Sequence, residues 1–188
     1  INPVKKEWKT HDKERLLANQ IDIGILGLGT LGSATAQKLR KLDFKVTGWS
    51  ATEKKITGVR SLIGPEGLTK ILSTSDYLIL LLPLTEKTKT IINSETLKIV
   101  KTGAILINAG RGGLIKDNDL LKALDSGKLS GCTLDVFNEE PLPPEHPFWS
   151  HDKVTVTPHI SAPTRLRSSI KSILTNIDRI NKGLQPLG

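Results

Sequence analysis

The feature that most constrains the fold is a repeated alternation of short apolar runs with longer segments of helical period. The apolar runs are rich in Ile, Leu and Val and occupy residues 21–26, 44–49, 77–82, 104–107, 132–137 and 154–156. Their apolar residues are consecutive, as in strands that are buried on both faces of a sheet. The segments between them suit helices, and they occupy residues 31–42, 66–73, 95–100 and 117–126. This alternation predicts an α/β fold with a doubly wound parallel sheet.

Local signals support two of the helices. Asp117 is expected to cap the helix that it begins, and Gly127 is expected to end it. The last segment, 164–182, carries aliphatic residues along one face and predicts a long amphipathic helix that ends at Gly183. Its apolar face is suited either to packing on the sheet of the same chain or to contact with a second copy.

Length and composition bound the class of protein. At roughly 150 residues per domain, 188 residues make one full domain and a little more. With 37% hydrophobic residues and 16 glycines, the chain is neither disordered nor collagen-like. The single cysteine, Cys132, excludes an internal disulfide and a zinc site built on a cysteine pair. No metal site is predicted.

The ends of the chain suggest how it is organised. The sequence begins at Ile1 and contains no methionine, so we expect a processed or truncated piece of a longer protein. Residues 1–20 are polar and are interpreted as a connector remnant, with a possible helix over 12–18. Residues 21–183 carry the alternation of strands and helices and form the predicted main domain, and residues 184–188 follow it.

No segment approaches the roughly 20 apolar residues of a membrane span, and the polar start lacks the apolar core of a signal peptide. We therefore expect a cytoplasmic protein without membrane contact. The net charge of +8 permits contact with nucleic acid, but only 4% of residues are aromatic and no basic helix with interleaved aromatics occurs. We expect no nucleic-acid partner.

A glycine-rich motif, Gly-Leu-Gly-Thr-Leu-Gly at positions 27–32, follows the first apolar run and opens the first helical segment. Glycines at this position permit a tight turn and close approach of a pyrophosphate to the backbone. The helix N-terminus adds unpaired amides and a positive dipole end. The motif predicts dinucleotide binding by Gly27, Gly29, Thr30, Leu31 and Gly32.

The end of the second strand usually selects the cofactor, because an acid there binds the ribose 2′-hydroxyl of NAD. Ser50 stands at this position, and Lys54 follows it in a basic loop. A 2′-phosphate would meet no carboxylate at Ser50 and would find hydrogen-bonding and cationic groups nearby. Glu53 weakens the charge argument, and the lysines also suit an ordinary solvated loop. The sequence favours NADP(H) over NAD(H).

Three polar residues follow strand-like runs, where ligands of open α/β sheets gather. They are Arg111, Glu140 and His159. Taken singly, each is compatible with a structural role. Taken together, they suit reduction of a 2-keto acid, because arginine binds a carboxylate with its planar fork and histidine exchanges a proton near neutral pH. A carboxylate behind the histidine fixes its tautomer.

Five ordered motifs between residues 27 and 160 resemble those of the D-isomer-specific 2-hydroxyacid dehydrogenases. They are the glycine motif at 27–32, Leu-Leu-Pro-Leu-Thr at 81–85, Asn-Ala-Gly-Arg-Gly at 108–112, Leu-Asp-Val-Phe-Asn-Glu-Glu-Pro-Leu at 134–142 and Thr-Pro-His-Ile at 157–160. Within the family, residues 48–50 and 124–129 most resemble the bacterial glyoxylate/hydroxypyruvate reductases of the A type. The resemblance covers about residues 21–183, which it implies to be the dinucleotide-binding domain. It also implies that residues 184–188 begin the return to a substrate domain that this chain largely lacks.

The resemblance implies a Rossmann-type NAD(P)-binding domain and roles for individual residues. Arg111 would bind the substrate carboxylate, His159 would donate the proton, and Glu140 would be its partner. The remaining cofactor contacts that it implies are made by Leu82, Pro83, Ala109 and Asp135. The substrate would be a small 2-keto acid, such as glyoxylate or hydroxypyruvate, and the protein would form a homodimer.

The sequence departs from the family pattern at several positions. Ala51 and Glu53 stand where the A-type reductases usually carry basic groups, and Gly110 and Ser161 replace usual alanines. Two alternatives stay open. One is another D-2-hydroxyacid dehydrogenase, such as a 3-phosphoglycerate type, and the other is a nicotinamide-sensing binding protein without catalysis.

Overall fold

The computed structural model describes residues 16–162 and 166–187 and contains one seven-stranded sheet. All pairings between neighbouring strands are parallel. The strands are β1 (Asp22–Leu26), β2 (Lys45–Trp49), β3 (Arg60–Leu62), β4 (Tyr77–Leu80), β5 (Ala104–Asn108), β6 (Leu129–Leu134) and β7 (Val154–Val156). The helices are α1 (Thr30–Lys41), α2 (Gly64–Thr74), α3 (Ser94–Ile99), α4 (Asp117–Asp125) and α5 (Leu166–Asn181).

Hydrophobic side chains pack on both faces of the sheet, because successive residues of a strand point to opposite sides. Ile23 and Ile25 of β1 are buried in one cluster with Ala36 of α1. Leu26 belongs instead to a larger cluster that includes Ile71 of α2 and Leu120 of α4. The doubly wound parallel sheet predicted from the sequence is confirmed.

The strand order is β3-β2-β1-β4-β5-β6-β7, so the chain first builds outward from β1 and then returns to add β4 on its other side. Open α/β sheets bind ligands beyond the carboxyl ends of the strands at such a reversal. Every predicted site residue follows the carboxyl end of a strand or begins the helix after it. The topology therefore brings all of them to one edge of the sheet.

Three features differ from the sequence prediction. The short edge strand β3 was missed, because three residues that begin with the polar pair Arg60 and Ser61 carry no apolar run. Strand β6 begins at Leu129 and ends at Leu134, three residues earlier at each end than predicted. Asp117 is the first residue of α4, but its side chain does not cap the helix, and Lys116 takes the cap position.

Helix α5 does not bury its apolar face on the sheet. Ile170, Ile173, Leu174, Ile177 and Ile180 are each 50–60% exposed. The sequence left two environments open for this face, the sheet of the same chain or a second copy, and the exposure of these residues excludes the sheet. The predicted helix over 12–18 lies mostly outside the described residues. Within the described part, residues 18–20 form a short 3-10 turn.

Among residues 16–162 and 166–187, no helix combines the length and apolar character needed to cross a bilayer.

Candidate active site

The glycine loop connects β1 to α1 and is shaped by steric limits. Gly27 has a φ of 109°, and a Cβ there would lie 2.6 Å from the carbonyl oxygen of Leu81. A Cβ on Gly32 would lie only 1.7 Å from the carbonyl oxygen of Gly27. Both positions therefore need glycine, and together they fold the loop tightly against the start of α1.

Gly29 differs from the other two glycines, because a Cβ on it would meet no atom within 4 Å. It is the residue before α1, and no acidic side chain lies in the first turn of that helix. The first amides of a helix have no intrahelical acceptor. An open glycine backbone, free amides and a positive helix end fit the pyrophosphate of a dinucleotide. Thr30 and the exposed Leu31 begin the helix beside it.

The loop after β2 carries the predicted cofactor-selecting residues. Ser50 is buried, and its hydroxyl donates a hydrogen bond to the carbonyl oxygen of Thr52 at 2.8 Å. Lys54 is exposed, and its backbone amide donates to Ser61 Oγ on β3 at 3.0 Å. The missed strand β3 therefore fixes the backbone of the basic loop. Ser50 supports the turn, while the side chain of Lys54 faces solvent.

The loop after β4 is held by a threonine turn. Thr88 Oγ1 donates to the carbonyl oxygen of Pro83 at 2.7 Å and accepts from the amide of Thr85 at 2.9 Å. Leu82 is buried and Pro83 is exposed. These bonds hold the loop at the switch point between β1 and β4, where the sequence predicts a cofactor contact.

The loop after β5 is shaped by the buried side chain of Asn108. Its Oδ1 accepts from the amide of Gly110 at 3.1 Å, and its Nδ2 donates to the carbonyl oxygen of Arg111 at 3.0 Å. Ala109 donates its amide to the carbonyl oxygen of Leu80 on β4 at 3.2 Å. Asn108 thus fixes the backbone on both sides of Ala109 and presents an exposed Arg111 at the sheet edge.

Glu140 and His159 come together although 19 positions separate them in the sequence. His159 Nδ1 lies 2.7 Å from Glu140 Oε2, and Glu140 Oε1 accepts from the amide of Phe137 at 2.9 Å. The hydrogen bond from His159 lowers the pKa of Glu140, with further contributions from the Phe137 amide and the charge of Arg111. Glu140 is therefore ionised at neutral pH and accepts the Nδ1 proton. Among the described residues, Nε2 of His159 has no hydrogen-bond partner, so it can act on a ligand.

Asp135 holds the segment that carries His159. It is only 3% exposed, and its carboxylate accepts from the hydroxyl of Thr157 at 2.5 Å and from the amides of Ile160 at 3.0 Å and Ser161 at 2.9 Å. Burial alone would raise its pKa, but these hydrogen bonds outweigh burial and hold the pKa at about 2. Sequence reasoning places Asp135 at the cofactor, and the structure adds this structural role.

His159 adopts a φ of 53°, in the left-handed region that non-glycine residues rarely occupy. Its amide donates to the carbonyl oxygen of Asp135 at 2.9 Å. Unusual backbone conformations persist only where the surroundings hold them. The bonds from Asp135 on both sides of His159 provide that support.

An apolar hollow of about 680 Å³ opens beside Glu140 and His159. Its other lining residues are Phe137, Pro141, Leu142, Trp149, Val156 and Pro158. Apolar walls lower the local dielectric constant, which strengthens the attraction between the imidazole and the carboxylate. Within the described part of the chain, no group of three or more His, Cys, Asp or Glu residues could hold a metal ion.

A family model confirms what these residues suggest. Residues 2–161 match the NAD-binding domain of the D-isomer-specific 2-hydroxyacid dehydrogenases. The chain belongs to this family. The site residues predicted from the sequence lie at one edge of the sheet of this dehydrogenase domain, whereas the groups that support them were not predicted. Asn108 was visible as a polar residue closing a strand, whereas no local signal reveals the contacts of Asp135.

Solved structures of other family members agree with the fold. A D-isomer-specific 2-hydroxyacid dehydrogenase from Xanthobacter autotrophicus Py2, in complex with NADPH and MES, is 39% identical, with a TM-score of 0.92 over 98% of this chain and 75% of that chain. An NADPH-dependent glyoxylate/hydroxypyruvate reductase from Sinorhizobium meliloti, in complex with NADP and sulfate, is 39% identical, with a TM-score of 0.90 over 97% and 58%. A phosphoglycerate dehydrogenase from Lactobacillus plantarum is 28% identical, with a TM-score of 0.78 over 97% and 59%. The dehydrogenase domain thus spans only part of the length of each relative.

Proposed function

We propose that this domain serves the NADPH-dependent reduction of a small 2-keto acid to the 2-hydroxy acid. The observation that carries the proposal is the 2.7 Å contact between His159 Nδ1 and Glu140 Oε2, at the same sheet edge as the glycine loop. Arg111 lies close enough for its charge to act on Glu140. This proximity supports a pairing in which Arg111 is the cation for the substrate carboxylate and His159 is the proton donor for the carbonyl oxygen.

Arg111 is proposed to bind the substrate carboxylate. Its guanidinium Nη1 donates to the carbonyl oxygen of Gly110 at 2.6 Å, which leaves its other donors available. The planar fork suits two parallel hydrogen bonds to a carboxylate. Bound in this way, the keto carbon would be held at a fixed distance from His159.

His159 is proposed to donate its Nε2 proton to the oxygen of the keto group. Bound reduced nicotinamide supplies the hydride that reaches the keto carbon. The carbonyl π bond breaks, its electron pair stays on the oxygen, and that oxygen takes the proton, which gives the 2-hydroxy acid. Glu140 stabilises the imidazolium that precedes the transfer and keeps Nδ1 protonated afterwards.

The proposed substrates are glyoxylate and hydroxypyruvate. The supporting observation is that identity to the Sinorhizobium reductase is 39%, against 28% to the Lactobacillus phosphoglycerate dehydrogenase. Consumption of NADPH by the full-length gene product, with glyoxylate and with a phosphorylated keto acid, distinguishes the two substrate classes. Cofactor binding without consumption of any keto acid would favour the nicotinamide-sensing alternative.

We further propose that the 188-residue chain binds cofactor but turns over poorly by itself, because it matches only 58–75% of the length of the relatives described above. Appreciable glyoxylate reduction by the purified chain would contradict this. The homodimer and the cytoplasmic location stay predictions, as does the absence of a nucleic-acid partner. The exposed apolar face of α5 is the surface that a homodimer would use.

The loop after β2 predicts a preference for NADPH over NADH. The Ser50 hydroxyl is bonded within the turn, so the exposed lysines of this loop, Lys54 and Lys55, are the cations proposed to attract the 2′-phosphate. Fluorescence titration of the chain with each cofactor is expected to show about tenfold tighter binding of NADPH, the effect of one charge-assisted contact. The double variant Lys54→Gln with Lys55→Gln should remove most of this difference, while Lys38→Gln near the far end of α1 should leave it intact. Equal binding of both cofactors by the unmodified chain would contradict the prediction.

A further inference from the structure

Asp117 makes contacts that a helix-capping role does not explain. It begins α4, yet Lys116 takes the cap position and no side-chain cap bond forms. Both oxygens of its carboxylate instead lie 3.0 Å from Asn138 Nδ2, and Oδ2 lies 3.8 Å from His146 Nε2. Asn138 and His146 flank the loop that carries Glu140. One carboxylate therefore contacts both ends of this loop.

His146 is oriented to meet Asp117. Its Nδ1 accepts from the amide of Phe148 at 3.3 Å, so the ring proton of the neutral imidazole resides on Nε2, which faces the carboxylate. The ring also packs against the buried Phe148 with 4.5 Å between ring centroids. The side chains of Asp117 and His146 are 27% and 22% exposed, so solvent screens their attraction only in part.

The loop between Asn138 and His146 needs such contacts. Prolines 141, 143 and 144 lack an amide proton and cannot donate backbone hydrogen bonds. Glu140 lies two residues after Asn138, and its Oε1 accepts from the amide of Phe137. Displacement of Asn138 would therefore move the acceptor of the His159 proton.

The 138–146 loop also lies against the loop that carries Arg111. A Cβ on Gly112 would lie 1.9 Å from the carbonyl carbon of Phe137 and 2.4 Å from the amide nitrogen of Asn138. The backbone after Arg111 thus packs directly on the backbone before Glu140. Asp117, five residues after Gly112, holds the two segments together because it accepts a hydrogen bond from Asn138.

We propose that Asp117 is a positioning residue that fixes the 138–146 loop and thereby sets Glu140 against His159. The proposal rests on the proposed function for its effect on turnover. The competing explanation is that Asp117 only stabilises the start of α4, where an acid complements the helix dipole. Asp119 lies in the same turn with the same charge, but its Oδ2 accepts from the amide of Ser94 at 2.9 Å, at the start of α3. Asp119→Asn is therefore the matched control.

The test compares Asp117→Ala with Asp119→Asn in the full-length gene product. Asp117→Ala is expected to lower kcat for glyoxylate by about 10–100-fold, as expected for misplaced catalytic groups, with little change in KM for NADPH. Asp119→Asn should cost stability but leave kcat within about threefold, which is about 0.65 kcal/mol in barrier height. An equal loss of kcat in both variants would overturn the proposal.

A charge swap provides a rescue experiment. Asn138→Asp alone places two carboxylates opposite each other and should lower kcat. The double variant Asp117→Asn with Asn138→Asp restores an amide facing a carboxylate and should recover most of the loss. If kcat of the double variant were no higher than kcat of Asn138→Asp alone, the result would count against the interaction between Asp117 and Asn138.

A second readout separates this proposal from the proposed function. Nitrogen-15 NMR of the His159 ring in the same protein reports which nitrogen carries the proton. The unmodified protein should show Nδ1–H bonded to Glu140, and Asp117→Ala should shift the population toward the Nε2–H form. If the unmodified protein reduces no keto acid, the proposed function fails, and the NMR comparison still decides the role of Asp117. An unchanged ring signal in Asp117→Ala would overturn it.

Discussion

Replacing His159 with alanine is expected to lower kcat for keto-acid reduction by about 10²–10⁴-fold, the usual contribution of a positioned general acid. The imidazole would be the only group of the proposed mechanism that delivers a proton to the developing alkoxide. Its side chain is 50% exposed and its partner Glu140 is 36% exposed, so solvent replaces much of the lost contact and stability should change little. NADPH affinity should also persist, because the glycine loop follows a different strand. Steady-state kinetics and cofactor titration of the same preparation check both statements.

His151→Ala is the matched control for this prediction. His151 Nε2 also faces a carboxylate, that of Asp125 at 3.4 Å, but it precedes β7 and therefore lies toward the opposite end of that strand from His159. Its removal should leave kcat unchanged. If His159→Ala retained full turnover, His159 would have no part in the mechanism.

Replacing Asp135 with asparagine is expected to lower the free energy of unfolding by about 3 kcal/mol. The buried carboxylate accepts three hydrogen bonds, two of them from the amides of Ile160 and Ser161. An asparagine side chain carries only one oxygen, so its amide group would face backbone donors and leave one of them unsatisfied. Guanidinium unfolding of the 188-residue chain measures the loss. Asp152→Asn, on the exposed surface, should change stability by less than about 0.5 kcal/mol.

The lowered pKa of Asp135 predicts how its contribution to stability changes with pH. The folded-state pKa of Asp135, about 2, lies below its ordinary value of 3.8, so the ionised carboxylate stabilises the fold at any pH above 3.8. That contribution is lost as the pH falls from 3.8 through about 2. Its size is about 2.4 kcal/mol, at about 1.36 kcal/mol per pH unit. The stability gap between the unmodified chain and Asp135→Asn should narrow over this range. A gap that is constant from neutral pH to pH 2 would contradict the assignment.

Sequence reasoning succeeded where the signal is local. The glycine loop was predictable because its strand, turn and helix are contiguous in the chain, and the steric limit at Gly32 is set locally by the carbonyl oxygen of Gly27. The limit at Gly27 is set instead by Leu81, which follows β4, and was not visible in the local sequence. The central strands were predictable because they are buried on both faces. Strand β3 was not, since a three-residue edge strand beginning with Arg60 carries no hydrophobic pattern.

The arrangement of the candidate site depends on contacts that no local pattern encodes. The residue types of Arg111, Glu140 and His159 indicated chemistry, but the Glu140–His159 distance follows from Asp135 holding a segment 22 to 26 positions away. The carboxylate of Asp117 likewise meets Asn138 across 21 positions. Helix periodicity identified the apolar face of α5 but carried no information on whether the sheet covers it. These contacts depend on the tertiary structure and became visible only in the fold.

The most direct test of the proposed reduction follows the hydride itself. The full-length gene product is incubated with glyoxylate and NADPH in which both hydrogens at C4 of the nicotinamide are replaced by deuterium, and the product is analysed by mass spectrometry. We predict consumption of NADPH and glycolate with one deuterium on C2, together with loss of both signals in His159→Ala. Tight NADPH binding without deuterium transfer to glyoxylate, hydroxypyruvate or any other 2-keto acid would contradict the proposed function.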